Sequence, residues 1–442
     1  MAIRRPRGWR LRGIVLGIAA GAAAASTLAG CSSTGTDTGG DVTGTVTVLV
    51  SSAPGSDKAF DALNTAFEAK YPGVKVDFSS VPNETFASSR STRLTAGNLD
   101  VTLAAPKEAP SYAGDASQSD DNLAADAGLF LDLSNEDFVK NFTPSVIDAL
   151  KYKDKTYTLP AGLSYYTGVY YNKALFEKNG LSVPTTWSEW ENVVSTLKAA
   201  GVTPLGIGGK DSWPAGLDMI AAVQGLYPTT DDKEKLAEDL WEKKAKLTDP
   251  TEVEVLDRVK ALYDAADPNF PGVGYDAIPG DFASGKVAMT IDGTWNQTTI
   301  DSAVAGAFDY GYFPLPASDN AADNATLGGK VEFRLAAASN APNKTAALAY
   351  LKFFSQPENY KKFVEICGFA PSQPDVATSD FLKGLEQYTT TFTPAWDTLW
   401  TQNVNAGQGA TFPFNYTAVA PMGTSTPQEA AKTAQSDWAA AG

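Results

Sequence analysis

The chain has no histidine among its 442 residues. That absence removes every Ser-His-Asp or Cys-His nucleophile and every His-ligated metal site. Cysteine is nearly absent too, with only Cys31 and Cys367. Positive charge is scarce: 35 Lys and Arg face 51 Asp and Glu, for a net −16. Arg4, Arg5, Arg7, Arg10 and Arg12 lie in the first 30 residues, which hold no acid, so the remainder stands at −21. A body that acidic repels a phosphate backbone, which argues against nucleic-acid binding. The apolar run Ile14 to Ala25 is too short to span a bilayer comfortably. Apolar content of 43% and charged content of 19% fit an ordinary globular protein of two or three domains.

What is present begins with an address. A basic stretch to Gly13, the twelve-residue apolar run and then Leu28-Ala29-Gly30-Cys31 resemble a bacterial lipoprotein signal. Residues 1–30 are expected to be removed, with Cys31 carrying the lipid anchor. Pro6 and Arg7 after Arg4-Arg5 depart from a twin-Arg export signal. Residues 31–43, rich in Gly, Ser and Thr, read as a flexible tether with a reach of roughly 20 Å. With Cys31 acylated, Cys367 is the only remaining thiol and no internal disulfide forms. The expected location is extracytoplasmic, on the outer face of the cytoplasmic membrane.

The body opens with strand–helix–strand–helix–strand. Thr45 to Val50 is β-branched, Phe60, Leu63 and Phe67 have helical spacing, and Val74, Val76 and Phe78 alternate. A helix over Glu84 to Ala96 and a strand over Asp100 to Ala104 complete an α/β lobe with a largely parallel sheet. Short strands are expected at Thr156 to Pro160 and Gly168 to Tyr171. Thr186-Trp187-Ser188-Glu189 is a capping box opening a helix with Trp187, Trp190, Val194 and Leu197 on one stripe. Helices are expected over Asp232 to Lys246, Glu252 to Ala266 and Lys344 to Phe354. Val287, Met289 and Ile291 alternate as a strand, Val331 to Ala338 forms another, and Asp319 to Gly329 reads as a loop.

The catalytic patterns are incomplete. Gly208-Gly209-Lys210-Asp211 lacks the first Gly and the final Ser or Thr of a phosphate-binding loop. Ser195-Thr196-Leu197-Lys198 and Ser318-Asp319-Asn320 match two parts of a penicillin-interacting serine enzyme. The third part, Lys344-Thr345-Ala346, lacks its Gly. No carboxylate pair stands out for glycoside hydrolysis. No enzyme activity, cofactor or metal is expected.

Tyr171-Asn172-Lys173-Ala174-Leu175-Phe176-Glu177-Lys178-Asn179-Gly180-Leu181, followed by Val183 to Glu189, resembles a signature stretch of extracellular solute-binding proteins of the maltose-binding type. Further matches follow in order: Phe282 to Trp295, Phe313 to Pro316, Gly328-Gly329, Ala341 to Phe354 and Gly368 to Ser372. The resemblance implies a two-lobed α/β periplasmic-binding-protein fold of type II with three hinge crossings, near Ala161–Gly162, Phe313–Pro316 and Cys367–Phe369. Residues 44–162 and 314–367 would form the N-terminal lobe, and 163–313 and 368–442 the C-terminal lobe. The implied function is that of a monomeric receptor lipoprotein for an ABC importer, capturing a mono- or oligosaccharide between the lobes and delivering it to the permease. The same fold holding a polyamine or peptide is the alternative, and a surface serine hydrolase a more distant one.

Sugars present apolar faces, which aromatic rings cover, and hydroxyls, which Asp, Glu, Asn and Arg bond. Trp295 follows a strand and a Gly, at the strand end where open α/β sheets place ligands. Trp213 lies in a loop after a strand, and Tyr165 and Tyr166 lie just past the first crossing. The resemblance puts Glu84 and Asp100 in cleft-facing segments. Glu332 and Arg334 follow Gly328-Gly329 on a strand, and Trp396 and Tyr416 are candidates from the C-terminal lobe.

Overall fold

The computed structural model describes residues 42–441. Cys31, the expected signal peptide and all of the expected tether but Val42 and Thr43 lie outside the described residues. The ten strands are β1 (Gly44–Ser51), β2 (Val74–Val81), β3 (Val101–Leu103), β4 (Leu159–Tyr165), β5 (Gly168–Asn172), β6 (Thr203–Gly206), β7 (Val287–Asp292), β8 (Tyr310–Pro314), β9 (Gly328–Ala337) and β10 (Thr393–Pro394).

They form two sheets. The larger runs β10-β9-β3-β1-β2 with β4 also on β9, and the smaller runs β6-β7-β5-β8. In the larger sheet β1 is parallel to β2 and β3, as the opening alternation of strands and helices requires. The sheet is nevertheless mixed rather than largely parallel, because β9 lies antiparallel to β3 and β4. The Val46-Val48-Val50 face of β1 is fully buried beside Phe60, Phe67, Tyr350 and Phe354. The smaller sheet has its own core, in which Trp190, Leu205, Val255, Met289 and Trp396 are buried.

Local signals place the helices. Thr186 accepts the amide of Glu189, and the Glu189 carboxylate accepts the amide of Thr186, closing the capping box. Trp187, Trp190 and Leu197 are buried as expected, with Val193 more deeply placed than Val194. The charged helix expected to begin at Asp232 starts two residues earlier, at Thr230, because Thr229 and Asp232 form a second reciprocal cap. It ends at Trp241 instead of Lys246, where Lys243 takes a left-handed conformation. The strand expected over Thr156 to Pro160 is displaced toward the C-terminus: β4 is in register with β9 from Leu159↔Leu335 to Tyr165↔Gly329. The expected loop Asp319 to Gly329 holds a short 3-10 turn at Ala321–Asn324 and then enters β9.

The chain leaves the larger sheet after Tyr165 and enters the smaller at Gly168. It returns between Pro314 and Gly328. The helices Lys344–Phe354 and Pro357–Cys367 bury Tyr350, Phe354, Tyr360 and Phe363 in the core of the larger sheet. Beyond Gly368, Trp396, Phe414 and Trp438 join the core of the smaller one. Gly162 sits at φ +154, where a Cβ would lie 2.7 Å from Phe369 Cβ. Only glycine permits that approach. Cys367 is a buried free thiol.

Candidate functional site

A cavity of about 1070 Å³ lies between the two cores. Ligand sites commonly occupy about 300–1,000 Å³, so this one has room for more than a single sugar-sized ring. Ser51 and Ser52, at the C-terminal end of β1, line one side, and Trp295, just past the C-terminal end of β7, lines the other. This is where open α/β sheets place ligands.

One wall is aromatic. Trp295 is half-buried and borders both cores. Its ring lies 5.4 Å from Tyr166 and 6.5 Å from Trp213, and Trp213 packs 4.5 Å from Tyr275. The Trp295 indole N–H donates to the Tyr275 hydroxyl (3.1 Å), which donates to Asp292 Oδ1 (3.1 Å). Gly293 leaves room for this arrangement, since a Cβ there would collide with the indole. Its φ of −83 shows that space, rather than an unusual backbone, is what the glycine supplies. Asp292 also accepts the Gly293 amide (2.7 Å) and the Asn296 side chain (2.6 Å). Burial outweighs these donors and raises its pKa to about 7.

The other wall is charged and polar. The helix Asn83–Thr95 contributes exposed Glu84 and buried Arg90, and β9 contributes Lys330, Glu332 and Arg334 at alternate positions. Arg90 donates to Leu103 O (2.9 Å) and pairs with Asp121. Glu332 accepts the Ser164 hydroxyl (2.5 Å) and pairs with Lys330 at 3.3 Å. The Lys330 ammonium also lies 4.9 Å from the Trp295 ring centre and 5.3 Å from that of Tyr166, joining the two walls by cation–π attraction. Asp397 accepts the Tyr166 hydroxyl (2.5 Å), and burial lifts its carboxyl above the usual range.

Trp295, Trp213, Tyr166, Glu84, Glu332, Arg334 and Tyr416 therefore meet around one cavity. Three sequence candidates lie outside its lining. The buried Asp100 carboxylate accepts the amides of Thr47 and Asn343, both at 2.8 Å, and ties β1 to the helix Lys344–Phe354. Tyr165, the last residue of β4, packs 6.3 Å from Phe392 in a separate cluster. Trp396 is fully buried and stacks 5.5 Å from Trp400. Its neighbours Asp397 and Trp400 line the cavity in its place. Tyr275, Lys330, Asp397, Arg90 and Lys107 were not singled out from sequence. Lys330 had a signal, since it alternates with Glu332 and Arg334 on one strand. Tyr275 sits in a 3-10 turn and had none.

Residues 51–361 match the family of bacterial extracellular solute-binding proteins. An uncharacterized ABC transporter extracellular-binding protein of Pyrococcus horikoshii is 25% identical over 355 residues, 75% of this chain and 72% of that one. The multiple sugar-binding protein of Streptococcus mutans is 23% identical over 305 residues, 68% of this chain and 69% of that one. Among solved structures, the solute-binding protein RafE in complex with raffinose superposes with a TM-score of 0.72. It is 25% identical, and the match covers 89% of this chain and 98% of that one. RafE comes from Streptococcus pneumoniae.

Proposed function

The chain belongs to the family of bacterial extracellular solute-binding proteins, and from that footing we propose that its cleft captures a saccharide for an ABC importer. The observation that carries this reading is the half-buried indole of Trp295, held by Tyr275 and faced by hydrogen-bonding side chains across the cavity. An apolar ring face and a rim of hydroxyls need that combination. The names support it: one relative is a multiple sugar-binding protein and one structural neighbour holds raffinose. These relatives are binding proteins rather than enzymes. On this reading a monomer closes its lobes about the solute and presents the closed form to a permease.

The test is calorimetric titration with raffinose, other neutral oligosaccharides, uronic-acid oligosaccharides and spermidine, alongside small-angle scattering. At least one saccharide is expected to bind and to reduce the radius of gyration. Binding of spermidine with no saccharide bound would reverse the assignment.

No helix among the described residues is long and apolar enough to cross a membrane. We propose that a lipid on Cys31 holds the protein at the outer face of the cytoplasmic membrane. Cys31→Ser is expected to move the protein from the membrane to the soluble fraction with its unfolding midpoint unchanged. A variant that still sediments with membranes would count against the anchor.

A further inference from the structure

Among the described residues four cations line the cleft: Arg90, Lys107, Lys330 and Arg334. Three have protein partners. Arg90 is engaged by Leu103 and Asp121, Lys330 by Glu332, and the Lys107 ammonium donates to Thr398 O at 2.5 Å. Arg334 is different. Its guanidinium has no hydrogen bond and no ion pair among the described residues. The carboxylates nearest it electrostatically, Asp121 and Glu332, are held by Arg90 and by Ser164 and Lys330 respectively.

Desolvation within the fold pulls the Arg334 pKa down from its usual range. Lys107, at the exposed rim, is likewise pushed down, by desolvation and then by the charge of Arg334. These two cations therefore repel each other. Arg334 is half-buried in the cavity wall, and its planar fork matches a carboxylate in a two-bond contact. We propose that Arg334, with Lys107 beside it, binds the carboxylate of a uronic-acid unit, so that the ligand is an acidic rather than a neutral saccharide.

The inference rests on the saccharide reading above and narrows it. A carboxylate is the match, because the Arg334 fork has no partner among the described residues and Lys107 has only the neutral Thr398 carbonyl. Glu84, Asp211, Asp276 and Asp397 also line the cavity. A dianion such as a phosphate ester would meet their repulsion more strongly than a singly charged carboxylate.

The test is calorimetry on the full chain with disaccharides containing glucuronate, galacturonate or mannuronate, their neutral counterparts and the matching sugar phosphates. The variants are Arg334→Gln and Arg334→Lys. At least one uronate is expected to bind about 10- to 100-fold more tightly than its neutral counterpart. Arg334→Gln should erase that preference while neutral binding, where present, persists. Arg334→Lys should keep part of it, because the charge remains and the fork is lost. Thermal unfolding of the ligand-free variants checks that they are folded.

Neutral sugars binding as well as uronates, a preference that survives in Arg334→Gln, or a sugar phosphate binding more tightly than any uronate would each overturn the inference and leave the saccharide reading standing. Absence of binding by every saccharide would overturn both.

Discussion

Trp295→Ala is expected to weaken saccharide binding about 30- to 1,000-fold, the loss of roughly 2–4 kcal/mol that follows truncation of a buried aromatic anchor. The indole is fixed before any ligand arrives. Tyr275 holds its N–H, and Tyr166 and Trp213 flank its ring. A rigid, apolar surface loses little entropy on binding, so a large share of its contact energy reaches the affinity. The fold should suffer less than from loss of a fully buried tryptophan, which costs about 3–5 kcal/mol, because Trp295 is only half-buried against the two cores. Calorimetric affinity and urea unfolding of the ligand-free protein separate the two effects. A variant that binds normally but unfolds far more readily would make Trp295 a packing residue and remove it from the site.

The second large effect is on stability against pH. Asp292 has a carboxyl pKa of about 7 in the fold, against 3.8 as its ordinary value. Between those pH values the folded protein keeps a proton that the unfolded chain has released. The contribution of Asp292 is thus fully present below about pH 4, falls by roughly 4 kcal/mol up to pH 7, and is level above it. Asp218 acts in the same direction: its carboxyl is buried, Oδ2 has no hydrogen-bond partner among the described residues, and burial raises its pKa well above the usual range. Glu189, Asp319 and Asp380 act oppositely, each held below its usual value by hydrogen bonds. They are exposed, and solvent screens them. The measurement is urea unfolding from pH 4 to pH 8 for the wild type and Asp292→Asn. The wild-type minus variant difference should decline across that window, and a flat difference would show that Asp292 is ionised in the fold.

Elements were legible in sequence where a local rule acts alone. The β1 valines, the Thr186–Glu189 cap and the helix Lys344–Phe354 need only alternation, one reciprocal hydrogen bond and a 3.6-residue stripe. The extent of β4 was not legible, because its length is set by β9, more than 150 residues away. The site divides along the same line. Trp295 follows β7, so its place is written locally; Trp213, expected in a loop, instead opens the helix Trp213–Leu226 and still lines the cavity. Asp100 and Trp396 belong to the same residue types, but their partners, Asn343 and Trp400 among them, decide their roles, and only the fold brings those together. Tyr165 and Tyr166 are adjacent, and the end of β4 sends only the second to the cavity.

Strand β9 carries a consequence for how such a receptor changes diet over generations. Its far end, Leu335 to Ala337, is locked into the interior and paired with β3, and its near end pairs with β10 at Gly328 and Gly329. Between these fixed ends, Lys330, Glu332 and Arg334 look into the cavity and belong to neither hydrophobic core. Glu332 is buried and holds Ser164 and Lys330, so Arg334, with no partner among the described residues, is the position that can be rewritten with least effect on folding. The strand ends fix the scaffold, while the side chain at position 334 is free to set its chemical taste.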